Sequence, residues 1–285
     1  MENWRANNRA LWDERTGIHL APGGYDLTTH RAGLGRLDAI VESEIGSVAG
    51  LRILHLQCHI GDDSIALIQH GASEVVGIDF SPAAIEAATA LASELSAPAR
   101  FVLSDVLAAA QALPDEAGRF DMVFTSWGTI GWLPDLAAWA ATIAFFLKPG
   151  GVFYFADAHP IAMVFDGQVP GDPEARPAWF GGYFERGPIT YIEAQDYANP
   201  EVALRHTSQI VWLHSVADIL AALRRAGLRL DWLHEHPGLT SQLYPGLVRG
   251  PDRLWTWPGR PWLPLGLSLR AEKPIPSAAA TPALD

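Results

Sequence analysis

Between Leu51 and Asp157, five short runs rich in Val, Ile, Leu and Phe alternate with stretches whose apolar residues recur at helical spacing. Strands separated by helix-sized connections do not close as hairpins; they lie parallel and are joined by right-handed crossovers. The alternation predicts strands near 51–56, 74–79, 99–103, 120–126 and 151–157 in a doubly wound α/β sheet. The first crossover helix is expected to open at Asp62 or Asp63, either of which can cap free N–H groups, and to stop at Gly71, where a left-handed residue costs least. Ser81-Pro82 opens the second, with Pro82 at the first helical position. Residues 134–147 put Leu136, Trp139, Ile143 and Phe146 on one face, which predicts a helix packed on the sheet and ended by Lys148-Pro149-Gly150-Gly151.

Beyond Asp157 the pattern changes. Residues 158–205 are rich in Pro, Gly and aromatics and read as an insertion. Residues 206–213 look extended. Ser215 and Asp218 have capping-box spacing, and Val216, Ile219, Leu220 and Leu223 form a buried stripe before Gly227. A strand at 228–234 and a last one near 263–271, split by the Pro/Trp-rich excursion 236–262, suggest a terminal antiparallel hairpin and a seven-stranded Rossmann-like sheet in all. The expected organisation is one domain, 1–272, with an N-terminal lid (1–45), a core (46–157) and two aromatic-rich lid insertions (158–205 and 236–262). The tail 273–285, rich in Pro, Ala and Ser, is expected to be disordered.

Charge narrows the partners. The formal charge of −12 is spread without a basic run, which argues against nucleic-acid backbones and anionic membranes and favours a small neutral or cationic substrate. The one cysteine, Cys58, excludes an internal disulfide and is expected to be a small core residue. The start Met1-Glu2-Asn3-Trp4-Arg5 lacks a secretory apolar stretch, and no apolar run reaches the roughly 18 residues that cross a bilayer. These features predict a cytoplasmic protein, monomeric or homodimeric.

Asp79 ends the second predicted strand, and the turn after the first carries Gly61. A carboxylate there can accept two hydrogen bonds from a ribose diol, while a tight turn offers backbone N–H groups to the rest of a nucleoside cofactor. The competing role for Asp79 is a cap on the helix that follows Pro82.

In that frame, Leu54-His55-Leu56-Gln57-Cys58-His59-Ile60-Gly61 followed by Asp79-Phe80-Ser81-Pro82-Ala83-Ala84-Ile85 resembles the class I S-adenosylmethionine-dependent methyltransferases. Within them it is similar to a branch of small-molecule enzymes common in actinobacteria. Phe120 through Trp127 and Leu147 through Gly151 match later landmarks in order. The chain departs from the family in its first motif, an acidic residue and three alternating glycines, because His55, Gln57 and His59 fill the acidic and first two glycine places.

The resemblance implies S-adenosyl-L-methionine as cofactor. Asp79 would bind the ribose with Phe80 beside it, Asp105 and the backbone of Val106 would meet the adenine, and Gln57, Gly61, Ser126 and Trp127 would line the cofactor. Trp12, Tyr25 and Arg31 would close over its methionine end, with Arg31 pairing the carboxylate. His159, just past strand five, is the candidate general base. His159, Trp179, Tyr183, His234, His236 and Tyr244 are the expected substrate pocket. His234 and His236, two apart with no third ligand nearby, predict no metal. Trp4, Trp12, Trp179, Trp255, Trp257 and Trp262 fall in the lid segments, and aromatic walls suit a flat or cationic ligand. The expected activity is methyl transfer by in-line displacement to a small metabolite, aromatic or amine-bearing. The alternatives are a nicotinamide-dependent oxidoreductase and an S-adenosylmethionine-binding protein that does not methylate, such as one that cyclises the cofactor.

Overall fold

The computed structural model describes residues 3–166 and 178–276. Seven strands form the main sheet, of which β1 (Arg52–Leu56), β2 (Glu74–Asp79), β3 (Ala99–Leu103), β4 (Phe120–Ser126) and β5 (Leu147–Ala158) come first. A separate hairpin follows, β6 (Ile189–Ile192) with β7 (Ser208–Val211), and then the last two sheet strands, β8 (Arg229–His236) and β9 (Gly266–Glu272). The spatial order of the seven-stranded sheet is β8-β9-β5-β4-β1-β2-β3. β1 to β5 are parallel, and β9 runs antiparallel between β5 and β8. The last strand is thus inserted inside its hairpin partner, an arrangement unlike the all-parallel six-stranded order of dinucleotide-binding dehydrogenases.

The elements start and stop for local reasons. α5 (Pro82–Glu94) is capped by Ser81, whose side chain accepts the N–H of Ala84. α7 (Val216–Arg225) has the full capping box, with Ser215 and Asp218 bonding reciprocally. α6 (Leu136–Phe146) is capped by Asp135 and buries Trp139, Ile143 and Phe146 against Phe153 and Phe155 of β5. One expectation is corrected: α4 (Asp62–Gln69) has Gly61 as its cap, left-handed at φ 77°, so Asp62 and Asp63 lie inside the first turn instead of capping it. On the other face α3 (Ala39–Glu44), which follows the single-turn α2 (Thr28–Arg31), and α4 bury Val41 and Leu67 over Ile53, Phe124 and Tyr154. Pairing reaches Lys273, whose N–H donates to Gly151 O; residues 277–285 of the expected tail lie outside the described residues.

Gly77, in the middle of β2, shows how closely the site's floor is packed. A Cβ there would fall 2.4 Å from the Phe101 ring and 2.8 Å from Cys58 Sγ. Gly77→Ala is therefore expected to destabilise the fold by about 1 to 3 kcal/mol, seen as a lower thermal midpoint.

No helix is expected at the N-terminus from the residues alone, yet α1 (Trp4–Leu20) is the longest helix in the described residues. Its buried stripe is mostly polar, Asn8, Leu11, Arg15, Thr16 and His19, so no apolar period advertises it. Asn8, fully buried, docks the helix on β7: its Nδ2 donates to Ile210 O at 2.7 Å and its Oδ1 accepts the Ile210 N–H at 3.1 Å. The β6–β7 hairpin crosses the boundary expected at residue 205 and belongs to this cover. A second cover pairs Gly238–Leu239, Trp255–Thr256 and Val248–Arg249, and the buried Tyr244 pins it by donating its hydroxyl to Ala162 O. No helix among the described residues is long and apolar enough to cross a membrane.

Candidate functional site

The turn after β1 keeps the alternation that the missing glycines appeared to break. Gln57, His59 and Gly61 all have left-handed backbones, at φ 56°, 47° and 77°. A non-glycine residue in that region costs about 1 to 2 kcal/mol, so two such residues persist only because the surroundings impose the shape. Those surroundings are explicit. Cys58 N–H donates to Ile78 O, Gly61 N–H to Cys58 O, and His59 N–H to Asp79 Oδ2 at 2.9 Å. Cys58 is buried, as expected of a core residue.

Asp79 is 7% exposed and also accepts the Ser81 N–H at 2.9 Å through Oδ1. One backbone bond per oxygen leaves each with further acceptor capacity. Burial pushes its pKa up to about 6, against the lowering effect of the Ser81 and His59 N–H groups. The carboxylate therefore sits at the tip of β2, tied to the β1 turn and still able to accept.

Gln57 reaches from the tip of β1 to that of β4, where its Nε2 donates to Thr129 O at 2.9 Å. These strands flank the switch point, at which strand order reverses and open α/β sheets bind ligands. Gln57 Oε1 is buried there without a hydrogen-bond partner among the described residues. At the same tip Ser126 Oγ donates to Asp63 Oδ2 at 2.8 Å and Trp127 Nε1 to Asp38 Oδ2 at 2.6 Å. Burial raises the pKa of Asp38, Asp62 and Asp63, and for Asp63 the neighbouring Asp62 adds to it. Asp157, not singled out from the sequence, organises the loop after β4. The only signal was its place as an acid at a strand end, the same one that marked Asp79.

α1 covers the turn. Trp12 lies edge-on to His59 with ring centroids 5.3 Å apart, and Tyr25 stacks on His19 at 4.6 Å. His59 Nε2 is 2.7 Å from His19 Nδ1, and His19 Nε2 is 3.2 Å from Asp196 Oδ1. Burial, then His19 and Arg15, lower the His59 pKa to about 3, so it is neutral at pH 7. A consistent proton placement has His59 Nε2–H donating to His19, which donates in turn to Asp196. Arg15, 2% exposed, pairs with Glu193 Oε2 at 2.5 Å, while its Nε lies 3.4 Å from Asp196 Oδ2 without a well-aligned hydrogen bond.

The structure thus brings Gln57, Gly61, Asp79, Ser126, Trp127, Trp12 and Tyr25 to one end of the sheet. Phe80 lies beside them under the Arg9 guanidinium, 6.0 Å away. Others go elsewhere. Arg31 is exposed and paired with Glu94 at 2.8 Å, so the buried arginine above the turn is Arg15. Asp105 caps a helical turn through the Leu107 N–H and pairs with Arg5 at 2.5 Å; Val106 is core. His159 is 4% exposed, its Nδ1 accepts the Ile161 N–H at 3.1 Å, and its Nε2 faces Glu235 Oε1 at 2.9 Å with poor alignment. Nδ1 is thus taken by a backbone N–H, while Nε2 points at a carboxylate without a hydrogen bond.

The expected substrate pocket is also dispersed. His234 and His236 turn to Glu44, 2.8 and 3.4 Å away. Tyr183 hydroxyl accepts the Val216 N–H, Tyr244 is core, and Trp179 and Trp262 are 79% and 67% exposed. Trp4 packs on Trp212, Trp257 on Tyr244 and Trp255 under Arg249, which leaves Trp12 as the tryptophan of the lids over the turn.

Comparison with known proteins agrees with this geometry. Residues 53–151 match a family model described as a methyltransferase domain. No curated protein matches the sequence. The chain resembles the structure of a putative S-adenosylmethionine-dependent methyltransferase from Listeria monocytogenes, with TM-score 0.60 and 17% identity over 85% of this chain and 97% of that one. It also resembles an S-adenosylmethionine-dependent methyltransferase from Mesorhizobium loti, with TM-score 0.55 and 22% identity over 82% and 95% of the two chains. The cyclase SpnF shares the fold, with TM-score 0.53 and 14% identity over 94% and 93%. Residues 53–151 thus form a methyltransferase domain by that match, and the fold is the one shared with these S-adenosylmethionine-dependent methyltransferases.

Proposed function

We propose that the protein transfers a methyl group from S-adenosylmethionine to a small, amine-bearing or aromatic metabolite. The observation that carries this reading is the switch-point constellation: three left-handed residues, the Asp79 carboxylate and the orphaned Gln57 Oε1 under one helical lid. These residues fit the cofactor. Asp79 suits the ribose diol, Gln57 and the turn suit the methionine end, and Arg15 supports the cover where Arg31 was expected. Gly61 serves the turn in any case.

When bound, the cofactor supplies a methyl already activated by its sulfonium. The protein's part is then alignment and exclusion of water, worth about 7 to 11 kcal/mol when reacting groups are held in register. That demand suits a site whose strained turn is fixed by hydrogen bonds. Asp38 and Asp63, whose carboxyls burial pushes toward the neutral form, place acceptor oxygens at the tip of β4 beside the aromatic face of Trp127. Such a lining favours an amine-bearing acceptor, and it agrees with the absence of a basic run for a nucleic acid.

The test is mass spectrometry of the protein incubated with S-adenosylmethionine and a panel of amines and aromatic metabolites. S-adenosylhomocysteine together with a product heavier by one methylene is expected. Consumption of the cofactor without a heavier product would overturn this reading in favour of a non-methylating activity at the same site.

A further inference from the structure

We propose that Asp157 is a positioning residue for the amino-acid end of the cofactor and that it acts through Gln57, whose Oε1 receives the cofactor's α-ammonium. This rests on the reading of the site as one for S-adenosylmethionine.

Asp157 is 4% exposed and has no basic partner among the described residues. A buried carboxylate in that position is tolerable only if dipoles replace the missing countercharge. They do. Its Oδ1 accepts the N–H groups of Gly128 and Ala158, both at 2.7 Å. Its Oδ2 accepts the N–H of Thr129 at 2.9 Å, the hydroxyl of Thr129 at 3.0 Å and the N–H of Ile130 at 3.0 Å. Four of these five donors belong to the loop after β4, which starts with Trp127 and Gly128 in left-handed conformations at φ 45° and 69°. A loop of that shape is held by the carboxylate at its centre.

The consequence is a fixed Thr129 carbonyl, and through it a fixed side-chain amide. Thr129 O can only accept, so the Gln57 atom 2.9 Å away is the Nε2 donor. The amide oxygen is thereby committed to the other side, where it is buried and unpartnered. An acceptor in that state calls for an N–H donor from a ligand. Asp79 and Asp105 stand at the tips of β2 and β3, on the far side of β1 from the β1–β4 gap. With the sugar at Asp79, the donor group that reaches Gln57 is the α-ammonium of the methionine part, and an ammonium strengthens the bond by its charge.

Calorimetric binding of S-adenosylmethionine and of 5′-methylthioadenosine, which keeps the nucleoside and lacks the amino-acid end, separates positioning from general support of the fold. Asp157→Asn replaces an acceptor by an amide that faces the loop's N–H groups with its own donor. It is expected to weaken S-adenosylmethionine about tenfold or more while changing 5′-methylthioadenosine by no more than about twofold. Gln57→Leu, which leaves Asp157 and its loop intact, is expected to show the same selectivity and keeps the idea testable if Asp157→Asn does not fold. The double variant should bind no worse than the weaker single one, because both act on one contact. Equal losses for both ligands, or unchanged S-adenosylmethionine affinity in Gln57→Leu, would overturn the proposal and leave the cofactor reading standing. Failure of the unaltered protein to bind S-adenosylmethionine would overturn both.

Discussion

Asp79→Ala is expected to weaken S-adenosylmethionine binding by about 3 to 6 kcal/mol, two charge-assisted bonds to the ribose at about 1.5 to 3 kcal/mol each. The effect is large because the same carboxylate holds the His59 and Ser81 N–H groups, so its loss also releases the strained turn. Titration calorimetry measures it directly, and affinity unchanged from the parent would remove the ribose assignment. The carboxyl also sets a pH dependence. With its pKa pushed up to about 6, it gains a proton as pH falls through that value, and affinity should drop by up to about tenfold for each further pH unit. Folding stability moves the opposite way. A carboxyl whose folded pKa exceeds its unfolded value, about 3.9, holds more protons in the native state, so its contribution grows as pH falls from 6 toward 4. Asp79→Asn should abolish both trends while keeping the side chain's shape.

Arg15→Leu is expected to lower folding stability by about 3 to 5 kcal/mol, because it leaves Glu193 and the buried Asp196 without their guanidinium. Although burial pushes the Asp196 carboxyl up, the His19 bond and the Ala198 and Asn199 N–H groups hold it below the usual range, so it stays charged and needs compensation. The loss should appear as a depressed unfolding midpoint together with weaker cofactor binding, since Arg15 ties α1 to the segment before β7. Arg31→Ala is the control. Its pair with Glu94 is exposed and screened by solvent, so neither stability nor affinity should change measurably. A larger effect on cofactor binding from Arg31 than from Arg15 would reverse the assignment.

A third feature concerns the turn itself. Gln57 and His59, which stand where the methyltransferases it resembles carry glycines, take the left-handed backbone that glycine favours. Each substitution adds a side chain with work at the switch point: Gln57 bridges β1 to β4, and His59 meets the lid at His19. The strain of the turn is offset by those contacts, which is why the departure in sequence does not become a departure in fold.

The five parallel strands, the caps at Ser81 and Ser215, the buried face of α6 and the place of Asp79 were all legible in the residues. Each depends on neighbours within a few positions: the period of apolar side chains, a hydroxyl beside an N–H, a carboxylate at a strand's end. The tertiary structure alone decided the rest. It buried Arg15 and left Arg31 at the surface, set His159 between a backbone N–H and Glu235, scattered the expected substrate pocket and put Asp157 at the centre of the loop after β4. Arg15 meets Glu193 across 178 residues and His19 meets Asp196 across 177, and such polar pairs leave no periodic trace along the chain. Apolar burial is written locally because every residue of a strand or helix shares one face, whereas a buried charge is specified by a single partner whose distance in sequence is arbitrary.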